Sequence, residues 1–187
     1  MRPVAASDAA LIVALRNASG QFLNKGAASE ALQRAWIETY LSRADDYYFV
    51  IERMNDGEPH GLAGIYDVNR VTRRAEWGRF VVRPGSQAAI EAALLIYRCG
   101  FETLQLAQIH CYTLVENAKV VAFHDSCGLE RGDVPVTVTH NGNASPAIEH
   151  QLTLEAWPAV HARLDRLASR LAGSVRGSAA PVRKLVS

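Results

Sequence analysis

The order of elements along the chain predicts a mixed α/β (α+β) fold in one domain. Two helices come first, then three strands, a helix, a strand, a helix and two strands. That order points to a mixed, mostly antiparallel sheet of about seven strands with helices on both faces. Two further observations agree. The segment Ser86 to Leu104 has a helical pattern that is apolar nearly all round, with Ala88, Ala89, Ile90, Ala92, Ala93, Leu94, Leu95, Ile96, Cys99 and Phe101, so it must lie buried against a sheet. Strand-like runs also end at Asn55-Asp56-Gly57 and Asn141-Gly142, turns that join antiparallel neighbours.

Taken in order, Ser7 is the expected N-cap of a short helix through Asn17, and Ser29 with Glu30 opens a longer one through about Arg43. The apolar face of the second carries Leu32, Trp36, Ile37, Tyr40 and Leu41. Asp45 and Asp46 break that pattern, and Tyr47 to Ile51 is rich in β-formers. Leu62 to Val68 pairs with it as a hairpin. Arg74 to Arg83 reads as a third long strand, with Glu76, Gly78 and Phe80 on one side and Trp77, Arg79 and Val81 on the other. Pro84 and Gly85 then turn the chain into the buried helix. Ile109 to Val115 is a strand, Asn117 to Ser126 a short helix stopped at Gly128, and Val134 to His140 with Ala147 to Leu154 a closing hairpin. The domain is expected to span residues 1–156. Residues 157–187 form an appendage, with a helix over Ala159 to Leu171 and a basic tail.

Composition narrows the function. The 187 residues are 49% hydrophobic and 21% charged, which suits one soluble globular domain that needs no disulfide or metal staple. With a net charge of +1, whole-molecule electrostatics give no case for a nucleic-acid or membrane-surface partner. The charge is uneven: from Arg163 onward six basic residues face one acidic one, so this end carries +5 and the remainder −4. A solvated tail is the ordinary account of such a terminus, and a dock for an acidic partner the other. No early apolar run reads as a targeting segment, and no stretch nears the roughly 20 apolar residues of a membrane span. Cys99, Cys111 and Cys127 are odd in number and without CxxC spacing, which fits a reducing, cytoplasmic setting. The histidines show no zinc-type spacing, so no metal is indicated.

The chemistry-bearing segment runs from Glu76 to Leu129: a strand with an acid, a Pro-Gly turn, a buried helix, a strand, then Asn117-Ala118-Lys119-Val120-Val121-Ala122-Phe123-His124-Asp125-Ser126-Cys127-Gly128-Leu129. It resembles the GNAT family of acyl-CoA-dependent N-acyltransferases, whose closing motif runs from Asn, seven residues on, to an aromatic or acid/base residue and then to Gly-Phe. Here Asn117, His124 and Gly128-Leu129 hold those places. The element order to about residue 156 is also the family's. Leu15-Arg16-Asn17 and the long second helix are most similar to the branch of ribosomal-protein and nucleotide-linked amino-sugar acetyltransferases.

The resemblance implies acetyl-CoA, or another short acyl-CoA, as cosubstrate, and no metal. Its pyrophosphate needs an anion site, and a turn leading into a buried helix supplies free N–H groups and the positive end of the helix dipole. Gly85, Ser86, Gln87 and Ala88 occupy that turn, Ala88 and Ala89 are small enough for close approach, and Arg83 adds a charge. The family's loop usually carries two spaced glycines, and this sequence keeps neither. By resemblance the strand before the turn splays from the next, and Phe80, Val81 and Val82 offer backbone groups to the pantetheine arm. Attack needs a neutral amine, so a carboxylate must accept a proton, and Glu76 is placed for it; its other reading is an ion pair with Arg73, Arg74 or Arg79. His124 stands where many family members carry a Tyr that protonates the departing thiolate, a task imidazole can also perform. Packing is its other reading. Asn117 binds cofactor, caps the following helix, or does both, and Cys127 reads as core. Tyr40, Tyr47, Tyr48, Tyr66 and Trp77 suit a sugar or nucleobase, while Arg16, Arg70, Arg73 and Arg79 suit phosphate. The expected acceptor is therefore a small-molecule amine, first of all a nucleotide-linked amino sugar. A protein N-terminus and a non-catalytic acyl-CoA-binding module on the same fold are the alternatives. Whether the protein forms a homodimer is open.

Overall fold

The computed structural model describes residues 1–18 and 21–178. Its eight-stranded sheet comprises β1 (Arg2–Pro3), β2 (Tyr47–Glu52), β3 (Pro59–Asn69), β4 (Arg74–Val82), β5 (Gln108–Leu114), β6 (Glu130–Arg131), β7 (Val136–His140) and β8 (Asn143–Thr153). The strand order is β1-β2-β3-β4-β5-β8-β6, with β7 added on β8. All described pairings are antiparallel except β4 with β5. Five α-helices are described: α1 (Ala9–Ala18), α2 (Glu30–Tyr40), α3 (Ala89–Arg98), α4 (Ala118–Cys127) and α5 (Trp157–Ser178). The mixed, mostly antiparallel sheet expected from the sequence is thus observed.

Each face of the sheet has its own core. α1 and α2 cover one face, where Ile12, Leu15, Ile37 and Tyr40 pack on Tyr48, Val50, Leu62 and Val81. α3 and α5 cover the other, where Ala92, Ala93, Ile96, Tyr97 and Phe101 meet Ile65, Trp77 and Ile109, together with Trp157, Val160 and Leu164. The boundary drawn at residue 156 therefore falls inside one core, because the first turns of α5 complete it rather than hang from it. The tail beyond Ser178 lies outside the described residues.

Local chemistry explains most element ends. Ser29 caps α2, its Oγ accepting the Leu32 N–H at 3.3 Å. Gly128 closes α4 at φ 89, and Asn141-Gly142, at φ 52 and 83, makes the two-residue β7–β8 hairpin turn. The first helix differs from expectation. Ser7 lies inside a 3-10 turn, Ala6–Asp8, and the Asp8 carboxylate accepts the Ala5 N–H at 2.8 Å. Arg2 fixes that carboxylate with two hydrogen bonds of 2.7 and 2.8 Å, so the cap is a tertiary ion pair rather than a local hydroxyl. α3 begins at Ala89 rather than Ser86, and it continues as a π-helical stretch, Cys99–Thr103.

Two irregularities of β4 shape the site. β4 pairs with β5 only at Arg74, Ala75 and Glu76, so the strands part beyond Glu76 although β4 continues to Val82 and β5 to Leu114. On its other edge β4 pairs Gly78 with Gly64 and Val81 with Leu62, three positions against two, which is a β-bulge. Arg79 sits in the bulge at φ 51, a left-handed conformation costly for a side chain with a Cβ. The extra residue breaks the expected alternation after Gly78. Trp77 and Phe80 pack together at 5.1 Å between ring centroids on the α3 side, while Arg79 and Val81 join Glu76 on the α1–α2 side.

Candidate active site

The parting of β4 from β5 opens a cleft of about 1360 Å³, walled by β4, β5, α4, the segment between α1 and α2, and β7. Of the residues singled out in the sequence, Glu76, Phe80, Val81, Val82, Ala89, Asn117 and His124 line it. Arg83, Gly85, Ser86, Gln87 and Ala88 stand beyond its lining, on the turn that leads to Ala89.

Glu76 is the last β4 residue paired to β5, so its carboxylate lies where the cleft begins. It is half-buried, and Oε1 accepts the Tyr66 hydroxyl at 2.6 Å. A Cβ at Gly78 would collide with that same hydroxyl, so glycine at 78 is what lets Tyr66 reach across β4. Burial raises the Glu76 pKa above the usual carboxylate value, with Asp67 adding to the effect; the Tyr66 hydrogen bond and Arg79 oppose it. The ion pair expected with Arg73, Arg74 or Arg79 does not form. Arg79 is instead bound to Asp46, and its guanidinium lies 4.5 Å from the Tyr66 ring centroid and 5.3 Å from that of Tyr48. Among the described residues Glu76 is the only carboxylate in the lining.

His124 faces different surroundings. Its ring is 4% exposed, edge-on to Trp77 at 5.3 Å and beside His150 at 5.1 Å, with Nε2 3.7 Å from Cys111 Sγ. Nδ1 has no hydrogen-bond partner among the described residues. Burial, and then His150, push its pKa down to about 3 against a weaker pull from Asp125, so the imidazole is neutral at ordinary pH. The cationic fraction that a proton donor needs near neutrality is therefore missing, because the motif places this histidine on the inner, apolar side of α4. Cys127 is core, as expected, at 1% exposure.

The turn before α3 keeps only part of the expected anion cradle. The Ser86 N–H donates to the Arg83 carbonyl at 3.0 Å and the Ala88 N–H to Ser86 Oγ at 3.2 Å, while His60 Nδ1 lies 2.8 Å from that hydroxyl. Arg83 is paired with Glu58 at 2.6 Å. The N–H groups of Gln87, Ala89, Ile90 and Glu91 have no partner among the described residues and head α3, where the dipole favours an anion. Gly85, at φ 78, makes the turn. Asn117 supplies its carbonyl to the Val120 and Val121 N–H groups at 3.0 and 3.1 Å, but its side chain makes no cap bond among the described residues, and the residue lines the cleft.

Sequence reasoning missed the far wall. Lys25 lines it, its N–H donating to Asn141 Oδ1 at 2.7 Å, and the Asn141 N–H donates to Asn24 Oδ1 at 2.9 Å, so the α1–α2 segment is clasped to the β7–β8 turn. Of the arginines expected to meet phosphate, Arg16 and Arg79 line the cleft, the second paired with Asp46, and Arg70 and Arg73 do not. Arg16, Lys25 and Lys119 form no ion pair among the described residues. No described group of three or more His, Cys, Asp or Glu residues could hold a metal ion.

Comparison with known proteins agrees with this geometry. Apo FdhC, described as a nucleotide-linked sugar GNAT, matches with a TM-score of 0.70 and 26% identity over 91% of each chain. A mutant of spermidine N-acetyltransferase SpeG from Vibrio cholerae matches with a TM-score of 0.72 over 83% of this chain and 95% of that one; at 19% identity it shows the fold alone. No curated protein matches in sequence. A family profile described as an acetyltransferase (GNAT) domain covers residues 1–130, well over half the chain, and the protein thus belongs to the GNAT acetyltransferase family.

Proposed function

We propose that the protein transfers the acetyl group of acetyl-CoA to the primary amine of a small acceptor that carries negative charge, a nucleotide-linked amino sugar being the first choice. The observation that carries this reading is the charge of the cleft: one carboxylate, Glu76, against Arg16, Lys25 and Lys119, which form no ion pair among the described residues, and Arg79, which Asp46 pairs. A polyamine acceptor would call for the opposite balance. The likeness to a nucleotide-linked sugar GNAT over 91% of the chain supports the same choice. The volume of about 1360 Å³ exceeds the roughly 300–1,000 Å³ of a single-ligand pocket, as two substrates require. Free Cys99, Cys111 and Cys127 favour a reducing, cytoplasmic setting.

Acetyl-CoA, when bound, supplies an acyl group activated as a thioester. The chain's own part begins with the backbone of Phe80 to Val82, unpaired toward β5 and open to an extended arm, and with the free N–H groups at the head of α3. Beyond Glu76 the edge of β4 has no β5 partner, which leaves its backbone open to a carbonyl oxygen on which charge develops. Glu76 accepts the amine proton, a task suited to a carboxylate whose pKa burial has raised. His124 serves as a neutral hydrogen-bonding wall of the cleft, and the departing sulfur takes its proton from solvent.

Thiol release from acetyl-CoA, measured over a panel holding a nucleotide-linked amino sugar, spermidine and a peptide N-terminus, tests the acceptor. The amino-sugar nucleotide is expected to react best, and preference for either of the others would overturn the choice. A thermal shift with acetyl-CoA but no thiol release on any amine would make the protein a binding module. Ala89→Asp tests the anion site. An acid in the first turn of α3 suits the helix dipole, so Tm should hold or rise slightly, while repulsion of the phosphates weakens acetyl-CoA about tenfold or more. Unchanged affinity would move the pyrophosphate elsewhere.

A further inference from the structure

Among the described residues Glu76 has one hydrogen bond, from Tyr66, and a bound acceptor covers it on the cleft side. A proton that it accepts therefore needs a second way out. An open cavity of about 340 Å³ lies beside the cleft, lined by Asp67, Asn69, Thr72, Arg74, His110 and Tyr112, and Tyr112 lines both spaces. His110 is the direct register partner of Glu76 across the parallel β4–β5 pair. Such neighbours share a face of the sheet on strands about 4.8 Å apart. The His110 ring is half-buried and edge-on to Tyr112 at 5.3 Å, and its Nδ1 has no hydrogen-bond partner among the described residues. The charged groups acting on it are Arg74 from β4, Glu149 from β8 and Asp67 from β3, with Arg74 and Glu149 3.9 Å apart, and Glu76 is its neighbour by register. Burial and Arg74 hold its pKa below the ordinary histidine value, which keeps the ring neutral and able to accept a proton.

We propose that His110 relays the amine proton from Glu76 into this second cavity. The Glu76 carboxylic acid gives its proton through one bridging water to the neutral imidazole, the imidazolium releases it to bulk solvent, and Glu76 returns to carboxylate, so one proton leaves per acetyl transferred. Asp67 stabilises the transient cation. His110 acts through Glu76 and touches neither substrate. The relay rests on Glu76 as the base, and the experiment separates the two ideas.

Steady-state acetyl transfer by full-length His110→Gln, with the best amine of the panel, is expected to show kcat reduced about tenfold at unchanged KM for both substrates. Added imidazole, small enough for the open cavity, should restore the rate saturably and leave the wild type unaffected. Asp67→Asn, which retains an Asx residue at a left-handed position, should slow turnover about threefold in the same imidazole-sensitive way. Wild-type kcat in either variant, or slowing that imidazole does not relieve, would overturn the relay. Wild-type turnover by Glu76→Gln would instead remove the base, and the relay with it.

Discussion

Replacing Glu76 with glutamine is expected to lower kcat by about 10²–10⁴-fold while leaving acetyl-CoA affinity unchanged. The amide keeps the shape of the side chain and can still accept the Tyr66 hydroxyl through its carbonyl oxygen, so the wall of the cleft survives the change. What disappears is the group able to take a proton. The same substitution should remove the acidic limb of the pH–rate profile. In the wild type that limb lies above the ordinary carboxylate range, because burial disfavours the Glu76 anion. Activity is therefore complete only above this raised pKa and is lost as pH falls through it. Tyr66→Phe removes the hydrogen bond that opposes the rise, and should move the limb further upward without abolishing turnover. A loss in Glu76→Gln far below tenfold, or one fully recovered by assaying at high pH, would reduce Glu76 to positioning a water.

The features that the sequence made visible are those that local physics controls. The Ser29 cap, the Asn141-Gly142 turn, the Gly128 stop and the burial of α3 each depend on residues within a few positions, and all are present. What stayed hidden depends on partners far along the chain. Strict alternation put Arg79 beside Trp77, yet Arg79 is held by Asp46, 33 positions away, in a bulge that no local pattern announces. Arg83 and Ser86 looked free to meet phosphate, but Glu58, just before β3, and His60, at its start, lie against them. The missing glycines of the turn were a fair warning there. Leu32 illustrates the converse error: its place on the apolar stripe of α2 suggested core, but it is 59% exposed and lines the cleft. Gly78 was the one overlooked signal, since a glycine inside a strand marks close approach by another group, here the Tyr66 hydroxyl.

His124 should make the protein acid-labile, and substitution should relieve it. In the unfolded chain a histidine titrates near its ordinary 6.5; in the folded protein burial, and then His150, hold His124 at about 3. The unfolded state thus binds the proton first as pH falls. Stability is complete above about pH 6.5, declines by up to about 1.4 kcal/mol per pH unit below it, and stops declining near the folded pKa. By pH 4 the accumulated loss from this group is roughly 3 kcal/mol, a large share of the 5–15 kcal/mol typical of a domain. His124→Phe cannot take up that proton, and a phenyl ring suits neighbours such as Trp77 and Phe123. It forgoes only the long contact with the Cys111 thiol. Urea midpoints measured for both proteins at about pH 7 and about pH 4 should therefore fall much further for the wild type, the carboxylates common to both cancelling in the comparison. The kinetic counterpart is a modest loss, under about tenfold, in kcat for His124→Phe with the alkaline limb unmoved, because a neutral imidazole has no ionised proton to give. If the two proteins lose stability in parallel, or if the alkaline limb shifts in the variant, the imidazole must titrate near neutrality within the cleft, and it would then be the acid that protonates the departing sulfur.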